Sequence, residues 1–261
     1  MPQLDGIPHG TFCWIELATI DQDAAKQFYT SLFGWTFIDS PMGEGQVYTM
    51  FKLKGRDVGA AYTLDQGMRE QGVPPNWGLY VSTESADGAV EAALDAGGRA
   101  IAGPFDVGDN GRMAVLQDAT GAMVNVWEPR SHQGFGITDE PGTLCWADLS
   151  TPDAEAASAF YNAAFGWSFE RGKDDSGYLH IKNGNTYIGG VPPAATRSAG
   201  APPHWMIYIL AADCDLSAAR AKELGARLYL EPMSMEGVGR MAVVADPQGA
   251  VFALFQPAAH E

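Results

Sequence analysis

Two carboxylates stand at matching places in this 261-residue chain. Glu16 lies in Gly10-Thr11-Phe12-Cys13-Trp14-Ile15-Glu16-Leu17, and Asp148 in Gly142-Thr143-Leu144-Cys145-Trp146-Ala147-Asp148-Leu149. Each follows a tryptophan by two positions. A carboxylate withdrawn from water must find a partner or become neutral. Paired with a cation it is a structural anchor, and Arg112 and Arg240, again at matching places, are the available cations. Left unpaired, its pKa rises and it becomes a general base for a bound molecule. His180, in Tyr178-x-His180-x-Lys182, adds an acid–base candidate in the second half, where the first half has Met50. A lone histidine also serves as a surface or core residue. Cys13 and Cys145 lack a nearby base and read as small core side chains, not as nucleophiles.

The elements that position these groups come in duplicate. Phe28-Tyr29 returns as Phe160-Tyr161, Phe33-Gly34-Trp35 as Phe165-Gly166-Trp167, and Pro74-Pro75-Asn76-Trp77 as Pro202-Pro203-His204-Trp205. Gly111-Arg112-Met113-Ala114-Val115 returns as Gly239-Arg240-Met241-Ala242-Val243, and Asp118 and Gly121 as Asp246 and Gly249. The chain is therefore two homologous halves. The boundaries fall at 1–129 and 142–261, with a polar, Gly- and Pro-bearing linker over 130–141 and an extensive interface between the halves.

Period-two alternation through Cys13, Ile15 and Leu17 predicts a strand. Ala25, Phe28, Tyr29, Leu32 and Phe33 then share one helical face, with Thr19 or Asp21 to cap the start and Gly34 to end it. Short strands follow around 35–38, 47–53 and 58–63. The order then recurs, with a strand over 77–82, a helix over 86–96 and strands near 99–102, 112–117 and 123–127. Each half is β-α-β-β-β written twice, and Asp118 and Asp246 open the turns before the last strands.

Acidic residues number 32 against 16 basic, a formal charge of −16. Such a surface repels phosphate backbones and anionic lipid, so neither nucleic acid nor a membrane is an expected partner. No apolar run approaches the roughly 20 residues that span a bilayer. Three cysteines without paired spacing and no signal-peptide layout make the cytoplasm the expected compartment.

The βαβββ module, the Phe-Tyr late in its helix, the following Phe-Gly-Trp and the Asp-Pro-x-Gly before the last strand resemble the glyoxalase/bleomycin resistance/dioxygenase (vicinal oxygen chelate) superfamily, in its tandem two-domain form. The resemblance implies an α+β fold of two tandem glyoxalase-like domains, each of two βαβββ modules forming a curved mixed sheet, or cup. It also implies a divalent metal held in the cup by His, Glu or Gln. Carried onto this chain, the first-strand ligand falls on Trp14 and Trp146, and the last-strand ligand on Asn125 and Ala253. The inner first strand offers Gly78 or Met206, and the fourth strand Ala60-Ala61 or Gly190-Val191. None is a competent His or carboxylate, so no metal and no other cofactor is expected.

With Trp14 and Trp146 in the inward positions, strand alternation turns Glu16 and Asp148 inward too. Tyr80, Ser82, Asn125 and Trp127 then face the first cup, and Tyr208, Leu210 and Phe255 the second. Each cup becomes an aromatic-lined hollow with one carboxylate, the format of a small-molecule site, unless the rings simply plug it. Three readings follow. The first is binding of a hydrophobic or aromatic metabolite or drug. The second is an atypical glyoxalase- or hydroxylase-type enzyme, of lyase or oxygenase class, moving protons through Glu16, Asp148 and His180. The third is an interaction module with filled cups. A fused chain that makes the family's usual pairing internally is expected as a monomer or weak homodimer.

Overall fold

A computed structural model describes residues 6–43, 45–172, 176–198 and 200–258. The first half runs β1 (Phe12–Thr19), α1 (Gln22–Phe33), β2 (Thr36–Gly43), β3 (Gln46–Leu53) and β4 (Arg56–Thr63). A short helix, α2 (Gln66–Glu70), leads to β5 (Asn76–Ser82), α3 (Ala86–Asp95), β6 (Arg99–Val107), β7 (Gly111–Gln117) and β8 (Met123–Pro129). The second half repeats this with β9 (Leu144–Ser150), α4 (Ala154–Phe165), β10 (Ser168–Arg171), β11 (Leu179–Asn183) and β12 (Thr186–Val191). It ends with β13 (His204–Leu210), α5 (Cys214–Glu223), β14 (Arg227–Met235), β15 (Gly239–Ala245) and β16 (Val251–Pro257).

Each half is one curved eight-stranded mixed sheet, ordered β2-β3-β4-β1-β5-β8-β7-β6 and β10-β11-β12-β9-β13-β16-β15-β14. Two βαβββ modules join where β1 meets β5 and β9 meets β13, both antiparallel. The helices cover the convex face. Asp21 caps α1 by accepting from the Ala24 amide at 2.9 Å, and Gly34 ends it at φ 68°, a conformation that suits a residue without Cβ. Asp153 and Gly166 do the same for α4.

The expected interface between the halves is present, and it is reciprocal. Asp118 Oδ1 gathers the amides of Thr120, Gly121 and Ala122 at 2.8–2.9 Å, while its Oδ2 accepts from Tyr161 of the other half at 3.0 Å. Asp246 holds its own turn in the same way and accepts from Tyr29 at 2.9 Å. Trp77 and Trp205 donate to Tyr29 and Tyr161 at 3.0 and 2.8 Å. Trp35 donates to the Gly142 carbonyl and Trp167 to that of Gly10, at 2.9 and 2.7 Å. The repeated Phe-Tyr, Phe-Gly-Trp, Pro-Pro-x-Trp and Asp-x-x-Gly motifs thus meet one another across a pseudo-twofold axis. The linker is not a loose tether, since Phe135 and Ile137 are buried and the Phe135 amide donates to the Cys13 carbonyl at 2.9 Å.

Candidate functional site

Strand register lays out each cup. In the first, Trp14, Tyr80 and Asn125 lie side by side on β1, β5 and β8, and Glu16 sits between Ala60 of β4 and Gly78 of β5. In the second, Trp146, Tyr208 and Ala253 form the matching row, and Asp148 sits between Gly190 and Met206. The alternation that turned the indoles and carboxylates to one face therefore holds.

The partners of the carboxylates are phenols, not guanidiniums. Tyr48 donates to Glu16 Oε2 at 2.6 Å and Tyr80 to its Oε1 at 3.0 Å, while Trp14 Nε1 donates to the Tyr48 hydroxyl at 3.3 Å. Tyr178 donates to Asp148 Oδ1 at 2.5 Å and Tyr208 to Oδ2 at 2.8 Å. Trp146 Nε1 lies 3.0 Å from Asp148 Oδ1 and 2.9 Å from the Tyr178 hydroxyl. Burial pushes both carboxyls above their ordinary range, and the phenol hydrogen bonds pull them partly back. His180 lies on the same side as Tyr178, with ring centroids 5.0 Å apart. Burial, and then the same carboxylates, push the Tyr48, Tyr80, Tyr178 and Tyr208 hydroxyls well up.

Arg112 and Arg240 were expected at the carboxylates and lie elsewhere. Arg112 forks onto Asp87 at 2.7 and 3.1 Å and reaches Asp106 at 3.0 Å, while Arg240 forks onto Asp215. Their strand neighbours Met113 and Met241 pair with Trp127 and Phe255, which face the cups, so alternation sends both arginines to the helix side.

Sequence reasoning passed over four residues. Tyr48 and Tyr178 stand two strands away from the carboxylates they hold, although their repeat was visible. The others are His132 and Phe135 of the linker. The His132 ring meets Trp14 edge-on at 4.6 Å, Phe135 lies 5.7 Å from it, and Trp127 Nε1 donates to the His132 carbonyl at 2.9 Å. Burial lowers the His132 pKa, and the ring packs over Trp14. Cys13 and Cys145 donate to the carbonyls of Tyr80 and Tyr208, and burial pushes both thiols up, Cys145 to about 12. His260 lies outside the described residues.

A divalent metal of the family type does not fit these donors. Glu16 is flanked by Ala60 and Gly78, and Asp148 by Gly190 and Met206, and the oxygens of both already accept from O–H groups. Among the described residues, no group of three or more His, Cys, Asp or Glu could hold an ion. Nor is any helix among them long and apolar enough to cross a membrane.

Known proteins share both the sequence and the arrangement. The family model of the glyoxalase/bleomycin resistance protein/dioxygenase superfamily matches residues 11–126, and that of a glyoxalase-like domain matches 146–255. CFP32 of Mycobacterium tuberculosis, which carries a provisional glyoxylase name, is 40% identical over 99% of both chains. The anthracycline biosynthesis protein DauV of a Streptomyces species is 34% identical, over 95% of this chain and 93% of its own. Among solved structures, the Mn(II)-bound glyoxalase of Novosphingobium aromaticivorans superposes with a TM-score of 0.67 at 15% identity, covering 95% of this chain and 82% of that one. The 2,3-dioxygenase LapB of Pseudomonas gives 0.63 at 11% identity, covering 96% and 93%. These structural likenesses speak for the fold, and the sequence relatives carry it end to end: the chain belongs to the glyoxalase/bleomycin resistance protein/dioxygenase superfamily.

Proposed function

We propose that this protein binds a hydrophobic or aromatic small molecule in its cups without a metal ion. The carrying observation is the carboxylate–phenol–indole cluster in the place where the family resemblance implies a metal. A ring of Trp and Tyr around one polar anchor offers broad apolar contact and a single orienting group, which is how small-molecule pockets achieve affinity and direction. A relative named for anthracycline biosynthesis, hence for polycyclic aromatic chemistry, supports this reading. The test is a thermal-shift panel of polycyclic phenols and quinones, together with elemental analysis of the purified protein. A melting temperature that rises with ligand concentration, and no stoichiometric metal, is the expected outcome. One tightly held transition metal per cup would overturn it.

A second reading is proton transfer by the same clusters, and the raised carboxyls of Glu16 and Asp148 favour it. In that case Asp148 or Glu16 is the general base, His180 the nearby acid–base group, and an α-oxoaldehyde or a polyketide-like aromatic the substrate. Turnover of such compounds, abolished by Glu16→Ala or Asp148→Ala, is what this reading requires. Turnover unchanged in both variants eliminates it.

A further inference from the structure

We infer that the first cup takes the ligand, between Glu16 and Asn125, and that it selects a neutral, flat ring compound with a hydrogen-bond donor beside a carbonyl on one edge. This rests on the aromatic-binding reading above and gives it a place and a ligand class.

The two cups exchange side chains at one spot. In the first, β5 sets Gly78 beside Glu16, and β8 sets Asn125 beside Tyr80. In the second, Met206 stands beside Asp148, and Ala253 beside Tyr208. The first cup therefore has bare backbone between a carboxylate and an amide, where the second has a long side chain between a carboxylate and a methyl group. Burial follows this exchange. Asp148 is 6% and Ala253 0% exposed, whereas Glu16, Gly78 and Asn125 are all half-buried. Solvent thus reaches the floor between Glu16 and Asn125 and is nearly excluded from Asp148 and Ala253. The linker rings pack over Trp14, two residues back along β1, and leave Glu16 within reach of solvent.

The polar groups around this bare backbone have bonding capacity to spare. Asn125 Nδ2 lies 3.0 Å from where a Cβ on Gly78 would sit, so the amide leans over the glycine. It has no hydrogen-bond partner among the described residues. Glu16 accepts from Tyr80 on one oxygen and from Tyr48 on the other, which leaves each oxygen a further acceptor site. Tyr62, two residues beyond Ala60 on β4 and so on the same face, is half-buried, and its hydroxyl also lacks a hydrogen-bond partner among the described residues. Pro192 holds its place in the second cup. A ligand N–H or O–H can donate to Glu16 while the neighbouring carbonyl accepts from Asn125 or Tyr62. The chain's net charge of −16 disfavours an anion here. The Tyr80 ring, whose Cε2 lies 3.9 Å from the same Cβ position, and the half-buried Met50 and Val115 on the neighbouring strands supply apolar surface for a flat ring.

Isothermal titration of the full chain with 1-isoquinolone, a neutral bicyclic lactam, and with its N-methyl derivative tests the assignment. One site per chain is expected, with the N-methyl compound about tenfold weaker because it cannot donate to Glu16. Gly78→Met with Asn125→Ala gives the first cup the second cup's own pair and should weaken the lactam at least about tenfold. The alanine removes the Nδ2 that a Cβ at position 78 would meet. Should this variant fail to fold, Asn125→Ala alone should weaken the lactam about tenfold. Met206→Ala, in the second cup, should leave the affinity unchanged. Equal binding of the two compounds, a second equal site, or affinity kept in the first-cup variants would overturn the assignment. So would folded protein that binds neither compound, although a melting temperature raised by polycyclic phenols would still uphold aromatic binding.

Discussion

Tyr178 reaches Asp148 across the backbone of Gly190, and that reach decides what single substitutions do. Tyr178→Phe strips the shortest hydrogen bond from a carboxylate that is 6% exposed and should cost about 1–3 kcal/mol in denaturant unfolding. Gly190→Ala should lift the phenol off Asp148, and adding Asp148→Glu should restore contact by recreating the first cup's Glu–Ala pairing. A double-mutant cycle that comes out additive would contradict this coupling. The Asp148 pKa is raised in the folded protein, so its protonated form is favoured there. The resulting stabilisation is complete below the usual aspartate range and is lost as pH rises through the raised value. The stability of the unaltered protein relative to Asp148→Asn should therefore fall as pH rises above the usual aspartate range.

At this scale the sequence revealed the carboxylates, Trp14, Trp146, Tyr80 and Tyr208, because one strand's alternation fixes their side. It concealed Tyr48 and Tyr178, whose strands lie two places across the sheet, roughly 10 Å away at ordinary strand spacing. Only a long side chain passing over Ala60 or Gly190 bridges that gap, and strand pairing supplies the neighbour. The arginines misled because charge complementarity was weighed before their own alternation.

Among the elements, most strands and helices were legible, since duplicated patterns confirmed each other, but the strands expected at 35–38 and 99–102 run on to Gly43 and Val107, and α2 was not foreseen. The linker was not: its polar composition hid the two rings that dock on Trp14. The last hairpin turns bear the most. Asp246→Ala leaves the Gln248 and Ala250 amides and the Tyr29 hydroxyl without an acceptor, while the Gly249 amide keeps the backbone carbonyl of position 246, and should cost about 2–3 kcal/mol, read as a lowered denaturation midpoint. Burial raises the Asp246 carboxyl, so the stability it contributes is lost as pH rises through the raised value.

For the molecule as a whole, the buried Trp35, Trp167, Phe12 and Phe252 lie at or near the seam between the halves. Either half made alone, 1–141 or 142–261, should show little fixed aromatic environment by near-ultraviolet circular dichroism. Mixing the two should restore it, and a native-like spectrum from an isolated half would argue against so tight a union.

The exchange of Tyr29 with Asp246 and Tyr161 with Asp118 carries a consequence for change over time. A replacement at any of these four positions damages a bond belonging to the opposite copy, so the shared motifs are locked together and tolerate only matched pairs of replacements. The hollows bear no such mutual obligation: one copy could shut while its twin kept a working chamber, which is how a doubled gene acquires two jobs without coming apart.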